Sequence, residues 1–242
     1  MRKSIIFIYG IVSYLIALVA QIWFILYLGE WEFMPVTVNG HQTVSLISAL
    51  SINFALVLLF GLQHSIMARP SFKRYLTQII PQASERSTYV LFSGLALGLI
   101  CLYWQPLNGY LWQVENETGK ALLTAGYLFG WLFSLFSTFI INHFELFGLQ
   151  QIYLNFINKP EPAVTFQEKL FYRLVRHPIQ LGVLIGIWLT PSMSYSHMML
   201  SVTLSIYIFI GLWLEEKDLL AAWGTTYQEY QRRVRMILPF PK

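Results

Sequence analysis

The chain predicts an all-α fold: a polytopic integral membrane helical bundle of about five to six membrane segments, with a C-terminal helical hairpin and an amphipathic cytoplasmic tail. Three observations predict it. Of 242 residues, 56% are hydrophobic and only 12% are charged, about half the usual charged share of a soluble globular protein and too few to cover a surface facing water. The apolar residues gather into runs close to the 20 or so residues that a helix needs to cross a hydrocarbon core about 30 Å thick. The single cysteine, Cys101, excludes an internal disulfide, a CxxC redox pair and a cysteine metal cage, so a disulfide-stapled scaffold is ruled out as well.

Four runs have the length of a membrane helix or come near it: Ile5–Leu28, Val44–Met67, Tyr89–Trp104 and Ala121–Ile141. Two shorter ones follow, Ile179–Thr190 and Met198–Leu214, and Pro191, Ser192 and Met193 between them turn the chain into a hairpin. The first run is too long for a signal peptide and lacks a small-residue cleavage site, so it reads as a retained anchor. Three pairs at GxxxG spacing, Gly94/Gly98, Gly126/Gly130 and Gly182/Gly186, allow close helix approach. The chain reads as one integral membrane domain over 1–242, with a cofactor-binding part at about 142–240.

Basic residues set the expected orientation. The N-terminus, the 68–88 loop, the 142–178 loop and the 215–242 tail hold 15 of the 16 Lys and Arg, all but Lys120, while Glu30, Glu32, Glu115 and Glu117 lie in the opposite loops. The positive-inside rule then puts both termini in the cytoplasm, and the plasma (inner) membrane is the expected location. The net charge of +4 gives no reason to expect a nucleic-acid partner. The interiors of the first four runs carry no Lys, Arg, Asp or Glu, residues that ion and proton carriers usually need there, and the segments form no two similar halves, which argues against an inverted-repeat transporter.

Three polar clusters can carry chemistry. His143 and Glu145, in Asn142–Gln151 after the fourth run, suit a general base with its orienting carboxylate; a solvated helix end is the plainer alternative. In Arg173–Gly182, Pro178 suits the first turn of a helix, which puts Arg176 and His177 just ahead of its N-terminus. A guanidinium beside a helix N-terminus is a natural carboxylate site, and an interfacial anchor is the alternative. Glu215, Glu216 and Asp218 follow the last run against the positive-inside bias, so hydroxyl or cation recognition competes with a solvated helix start. After them Leu219, Leu220, Trp223, Tyr227, Tyr230, Val234 and Ile237 recur at helical spacing, with a break expected at Gly224. The HxxH and HxxxH metal spacings are absent, so no metal is expected; GxGxxG, GxxxxGK and GxSxG are absent too, which excludes the corresponding nucleotide loops and hydrolase elbow.

Taken in order, Arg176-His177-Pro178 to Gly182, Glu215-Glu216 to Leu219, Gly224 to Tyr227, Tyr230 and Val234, and Pro239 resemble the isoprenylcysteine carboxyl methyltransferase superfamily over about 170–240. Gln63 to Arg69, Phe72-Lys73, Trp104-Gln105-Pro106 and Asn142 to Leu149 are similar to the methanethiol S-methyltransferases and the nearby NnrU-like proteins, extending the resemblance to about 60–240. Gln180 stands where the prenylcysteine pattern has Tyr, and Met236 where it has Arg, which argues against a prenylated acceptor. The resemblance implies an integral membrane enzyme that uses S-adenosylmethionine without a Rossmann domain and methylates methanethiol to dimethyl sulfide. An isoprenylcysteine-type or other lipophilic acceptor is one alternative; an NnrU-like non-enzymatic protein or a small-solute transporter is another.

By analogy and charge, the implied cofactor residues are Arg176, His177, Pro178, Gln180, Glu215, Glu216, Trp223, Tyr227 and Tyr230. Arg176 and His177 would meet the methionyl carboxylate, Glu215 or Glu216 the hydroxyls or amino group, and the aromatic residues the adenosine. For the thiol proton the first candidate is His143 oriented by Glu145, and the second is His64. The expected partners are the small thiol and the lipid bilayer.

Overall fold

The computed structural model describes residues 3–163 and 165–239; residues 1, 2, 164 and 240–242 of the expected domain ranges lie outside them. In chain order the helices are α1 Lys3–Leu28, α2 Leu46–Ala68, α3 Pro70–Leu76, α4 Glu85–Tyr103, α5 Glu117–Ile141, α6 His143–Leu146, α7 Leu149–Phe156, α8 Pro178–Trp188, α9 Tyr195–Trp223 and α10 Thr225–Arg233. The strands are β1 Tyr110–Gln113 and β2 Ser192–Ser194. The all-α membrane fold is borne out: α1, α2, α4 with its leading turn, α5 and α9 are long and apolar enough to cross a membrane, and α8 is a shorter apolar helix. Large apolar side chains such as Ile8, Val19, Phe54, Phe129 and Phe136 stay exposed on these helices, a surface that lipid can solvate and water cannot.

The chain forms two compact units. The first comprises residues 3–109, 142–163 and 194–197. Ser45 opens α2 by accepting the Ser48 N–H at 3.2 Å. Arg69 ends it in an extended conformation, because the following Pro70 disfavours the helical one; Pro70 then starts α3. Helix α4 lies against α1 where Gly94 faces Ala17 so closely that a Cβ would stand 2.6 Å from the Ala17 Cα. Asn53, fully buried, fixes the chain after α4: its amide donates to the Gln105 carbonyl at 2.8 Å and accepts the Gln105 N–H at 2.7 Å.

The second unit comprises residues 110–141, 165–193 and 198–239. Here α5 and α8 run antiparallel through their glycines. A Cβ on Gly182 would meet the Gly130 carbonyl at 2.6 Å and the Ser134 nitrogen at 2.5 Å, so one member of each of two expected GxxxG pairs meets backbone, while Gly126 faces the Leu189 side chain and Gly186 the Trp131 ring. Gly98, by contrast, faces nothing within 4 Å. The expected hairpin forms from α8 and α9. At its closed end Ser201 donates to the Ile187 carbonyl at 2.8 Å and the Trp188 indole donates to Ser205 at 2.9 Å. Strand β2, at the turn, pairs with β1 ahead of α5.

One boundary departs from expectation. The last run does not stop at Leu214. Helix α9 continues to Trp223, 29 residues in all, or about 43 Å at 1.5 Å per residue. Glu215, Glu216 and Asp218 therefore lie inside a continuous helix and not at a helix start. Polar residues end the apolar surface there, but Glu and Lys are good helix formers. The break comes at Gly224, with φ +55, as expected.

Candidate active site

In the second unit, Pro178 opens α8 with His177 as its N-cap residue. The preceding segment is held by residues beyond α10. Val175 and Arg235 form a parallel bridge; the Arg176 N–H donates to the Arg235 carbonyl at 2.8 Å and the His177 N–H to the Met236 carbonyl at 3.1 Å. Glu216 is the hub of this region. Its Oε1 accepts from Arg176 Nε at 2.8 Å, His177 Nε2 at 2.7 Å and the Tyr227 hydroxyl at 2.7 Å. Its Oε2 accepts from Arg176 Nη2 at 2.8 Å and Gln231 Nε2 at 2.6 Å. A carboxylate offers about four lone-pair sites, so Glu216 is saturated. Arg176 Nη1 donates to the Val234 carbonyl at 2.5 Å and to the Gln231 carbonyl at 3.5 Å.

The two glutamates differ. The Glu216 side chain is 12% exposed and Arg176 9%, whereas Glu215 is 48% exposed, with Oε2 3.7 Å from His177 Nδ1. Adjacent helical residues point about 100° apart, which separates them. Gln180 lies half-buried in the first turn of α8.

Tyr227 and Tyr230 are not on an open surface. With Val234 they form a buried core, against which Phe166, Leu219, Leu220 and Trp223 pack. The Phe166 ring stands 5.7 Å from Trp223 and 5.3 Å from Tyr230. The Tyr230 hydroxyl donates to the Tyr172 carbonyl at 2.5 Å. Burial, and for Tyr227 the neighbouring Glu216 carboxylate, raise both phenols far above the ordinary value, so both remain neutral donors.

Between α8, α9 and residues 235–238 lies a groove of about 1140 Å³. Leu181, Leu184, Trp188 and Phe209 give it an apolar wall, and Arg176, Gln231 and Arg235 give it a polar end. The Arg176–Glu216 pair therefore bridges the open end of the hairpin beside this groove.

In the first unit, His143 heads the single-turn helix α6. Asn142 caps that turn by accepting the Glu145 N–H at 3.2 Å. The His143 ring is 4% exposed as part of its residue; its Nε2 shares a hydrogen bond of 3.0 Å with the Tyr14 hydroxyl of α1, and its plane lies 4.6 Å from Phe147. Burial lowers its pKa below the ordinary 6.5. The expected orienter, Glu145, instead accepts from the Asn142 amide at 3.1 Å; residues two apart on a helix do not face each other. Tyr14 has no sequence signal, being 129 positions from its partner.

His64 sits in α2 with both ring nitrogens engaged. Ser93 donates its hydroxyl hydrogen to the Tyr89 carbonyl at 2.9 Å, so it accepts from His64 Nδ1–H at 3.2 Å. His64 Nε2 then accepts from the Tyr89 hydroxyl at 2.6 Å. Tyr89 belongs to a buried cluster with Ala17, Met67 and Val90, against which Phe147 packs, so the two histidines flank one cluster. Among the described residues no three His, Cys, Asp or Glu side chains gather as a metal site.

No family model matches the chain, and no solved structure does. The chain is 42% identical over 241 residues to the methanethiol S-methyltransferase of Mycobacterium tuberculosis, covering 100% of this chain and 98% of that protein. It is 39% identical over 240 residues to the methanethiol S-methyltransferase of Crocosphaera subtropica, covering 99% and 94%. A more distant relative is nurim of Sus scrofa, 28% identical over 187 residues, or 74% of this chain and 71% of nurim. With identity near 40% sustained from end to end, the chain belongs to the methanethiol S-methyltransferase family.

Proposed function

We propose that this chain transfers a methyl group from S-adenosylmethionine to methanethiol and releases dimethyl sulfide. The observation that carries the proposal is the similarity to proteins named for this reaction over almost the whole length of both chains. The chemistry of the donor set fits the methyl donor. A zwitterionic amino acid attached to a nucleoside needs a cation, an anion and an apolar wall, and Arg176, Glu215 and the groove beside them are the candidates for these.

The bound donor supplies an electrophilic methyl on a sulfonium, which an in-line thiolate sulfur takes while the C–S bond pair stays with the departing sulfur. The residues proposed to hold that donor are Arg176, His177, Gln180, Glu215 and Trp223, at the N-terminus that Pro178 starts. Glu216, with Tyr227 and Tyr230 behind it, is proposed to hold Arg176 and His177 in place, since its oxygens already have five donors. An alkyl thiol near the cysteine value of about 8.5 is mostly protonated at neutral pH, so a base is needed. His143 is proposed to accept the S–H proton, with His64 as the second candidate. A ring whose pKa is lowered by burial stays unprotonated at neutral pH and so keeps a lone pair for that proton. The small apolar thiol is expected to partition into the bilayer as well as water. The distribution of basic residues supports a plasma-membrane orientation with both termini cytoplasmic.

The test is the purified full chain in detergent, given S-adenosylmethionine and methanethiol, with dimethyl sulfide measured in the headspace. Product that depends on both reagents is expected; saturable donor binding with no methylated thiol would remove methanethiol as acceptor.

A further inference from the structure

One cation, Arg86, contacts the surroundings of both candidate bases. Arg86 lies half-buried in the first turn of α4. Its Nε donates at 2.6 Å to the carbonyl of Leu146, the last residue of the turn that His143 begins. Its guanidinium carbon stands 4.7 Å from the centre of the Tyr89 ring, and the Tyr89 hydroxyl donates to His64 Nε2. The contact continues along the backbone. A Cβ on Gly148, which ends the α6 turn with φ +84, would stand 2.9 Å from the Ser87 nitrogen and 3.2 Å from the Arg86 carbonyl carbon.

A four-residue helix cannot hold its own orientation, because a single turn fixes several residues for one hydrogen bond. The His143 ring is therefore aimed both by its own hydrogen bond to Tyr14 and by what grips the ends of α6: Asn142 at its start and Arg86 at its finish. We propose that Arg86 is a positioning residue shared by both candidate bases, setting His143 through the end of α6 and His64 through Tyr89. This rests on the reading that a histidine takes the thiol proton. A mere interfacial anchor needs only positive charge, which lysine supplies. A positioning role needs the planar fork, which donates along one edge while its face covers a ring.

The experiment compares Arg86→Lys, Arg86→Gln, His143→Gln and His64→Gln, and each Arg86 variant combined with each histidine variant, in the full chain with saturating S-adenosylmethionine. One histidine variant is expected to lose most of kcat. Both Arg86 variants are expected to lose roughly 10- to 100-fold, the scale that a misplacement of about 1 Å brings, with KM for S-adenosylmethionine unchanged. The double variant with the essential histidine should lose little more than that histidine alone. If that histidine is His143, the acid limb of the pH–rate profile should also rise toward 6.5, since a loosened α6 admits water to the ring. Full turnover in folded Arg86→Lys, or losses that multiply in the double variant, would overturn the proposal while leaving the histidine reading intact. Normal turnover in both histidine variants would overturn the histidine reading itself. Should Arg86→Gln fail to fold, Arg86→Lys keeps the charge and alone decides.

Discussion

Glu216 on α9 holds together donors drawn from two other stretches of sequence: Arg176 and His177 ahead of α8, and Tyr227 and Gln231 on α10. Removing one member of a buried, hydrogen-bonded charge pair leaves the other uncompensated, which costs about 3–5 kcal/mol. Glu216→Ala is therefore expected to lower the thermal unfolding midpoint markedly and to abolish methyl transfer. Glu215→Ala is expected to leave the midpoint within a degree or two, because exposed positions contribute about 0.5 kcal/mol or less, and to weaken S-adenosylmethionine binding. Unfolding by intrinsic fluorescence beside calorimetric titration separates the two; equal behaviour of both variants would refute the division of roles. In the sequence the glutamates are indistinguishable neighbours. Their non-equivalence follows from helical geometry, but which one faces inward is fixed by partners on α10 that no spacing reveals. The same limit hides Gln231, although its position four residues after Tyr227 puts the two on one face of α10.

At the scale of the element, the glycines at GxxxG spacing are legible as surfaces of close approach, and one member of each of two expected pairs meets backbone across α5 and α8. Backbone atoms cannot move aside as a flexible side chain can. Gly182→Val is therefore expected to force α5 and α8 apart, costing at least the 1–3 kcal/mol typical of overpacking. Gly98→Ala, where nothing lies within 4 Å, is expected to be neutral or slightly stabilising through better helix propensity. The yield of monodisperse protein and its unfolding midpoint check both; a tolerated Gly182→Val would show that the helices can separate without loss. The length of α9 was less legible. Hydropathy marks where lipid contact ends, not where hydrogen bonding along the helix ends, and the Glu-Glu-Lys-Asp stretch continues the helix while leaving the apolar surface. Glu145 illustrates a related failure: closeness to His143 in sequence puts it on another face of the turn.

For the whole molecule, the number of crossings decides the orientation. Five helices are long and apolar enough to cross a membrane; the proposed orientation, with both termini on one side, requires a sixth passage, which is assigned to the shorter apolar helix α8. With Cys101 replaced by Ser, single cysteines at Asn116 and Gln167 are expected to differ in intact cells: a membrane-impermeant maleimide should label the first and not the second until the cells are opened. Labelling of position 167 in intact cells would invert the proposed orientation. The membrane class was readable because composition acts over the entire chain. The pairing of Tyr14 with His143, and of both histidines with residues near Arg86, was not, since tertiary packing joins positions that carry no mutual signal.

The parallel pairing of residues 175–177 with 235–236 also bears on how the enzyme is made. Translation delivers Arg176 and His177 well before the stretch that pairs with their backbone, and α8, α9 and α10 must all leave the ribosome in between. A chain truncated before Val234 contains every long apolar helix, yet lacks the carbonyls that receive Arg176 and His177. With Arg176 and His177 holding the donor as proposed, chains truncated before Val234 are expected to enter the membrane without methylating the thiol.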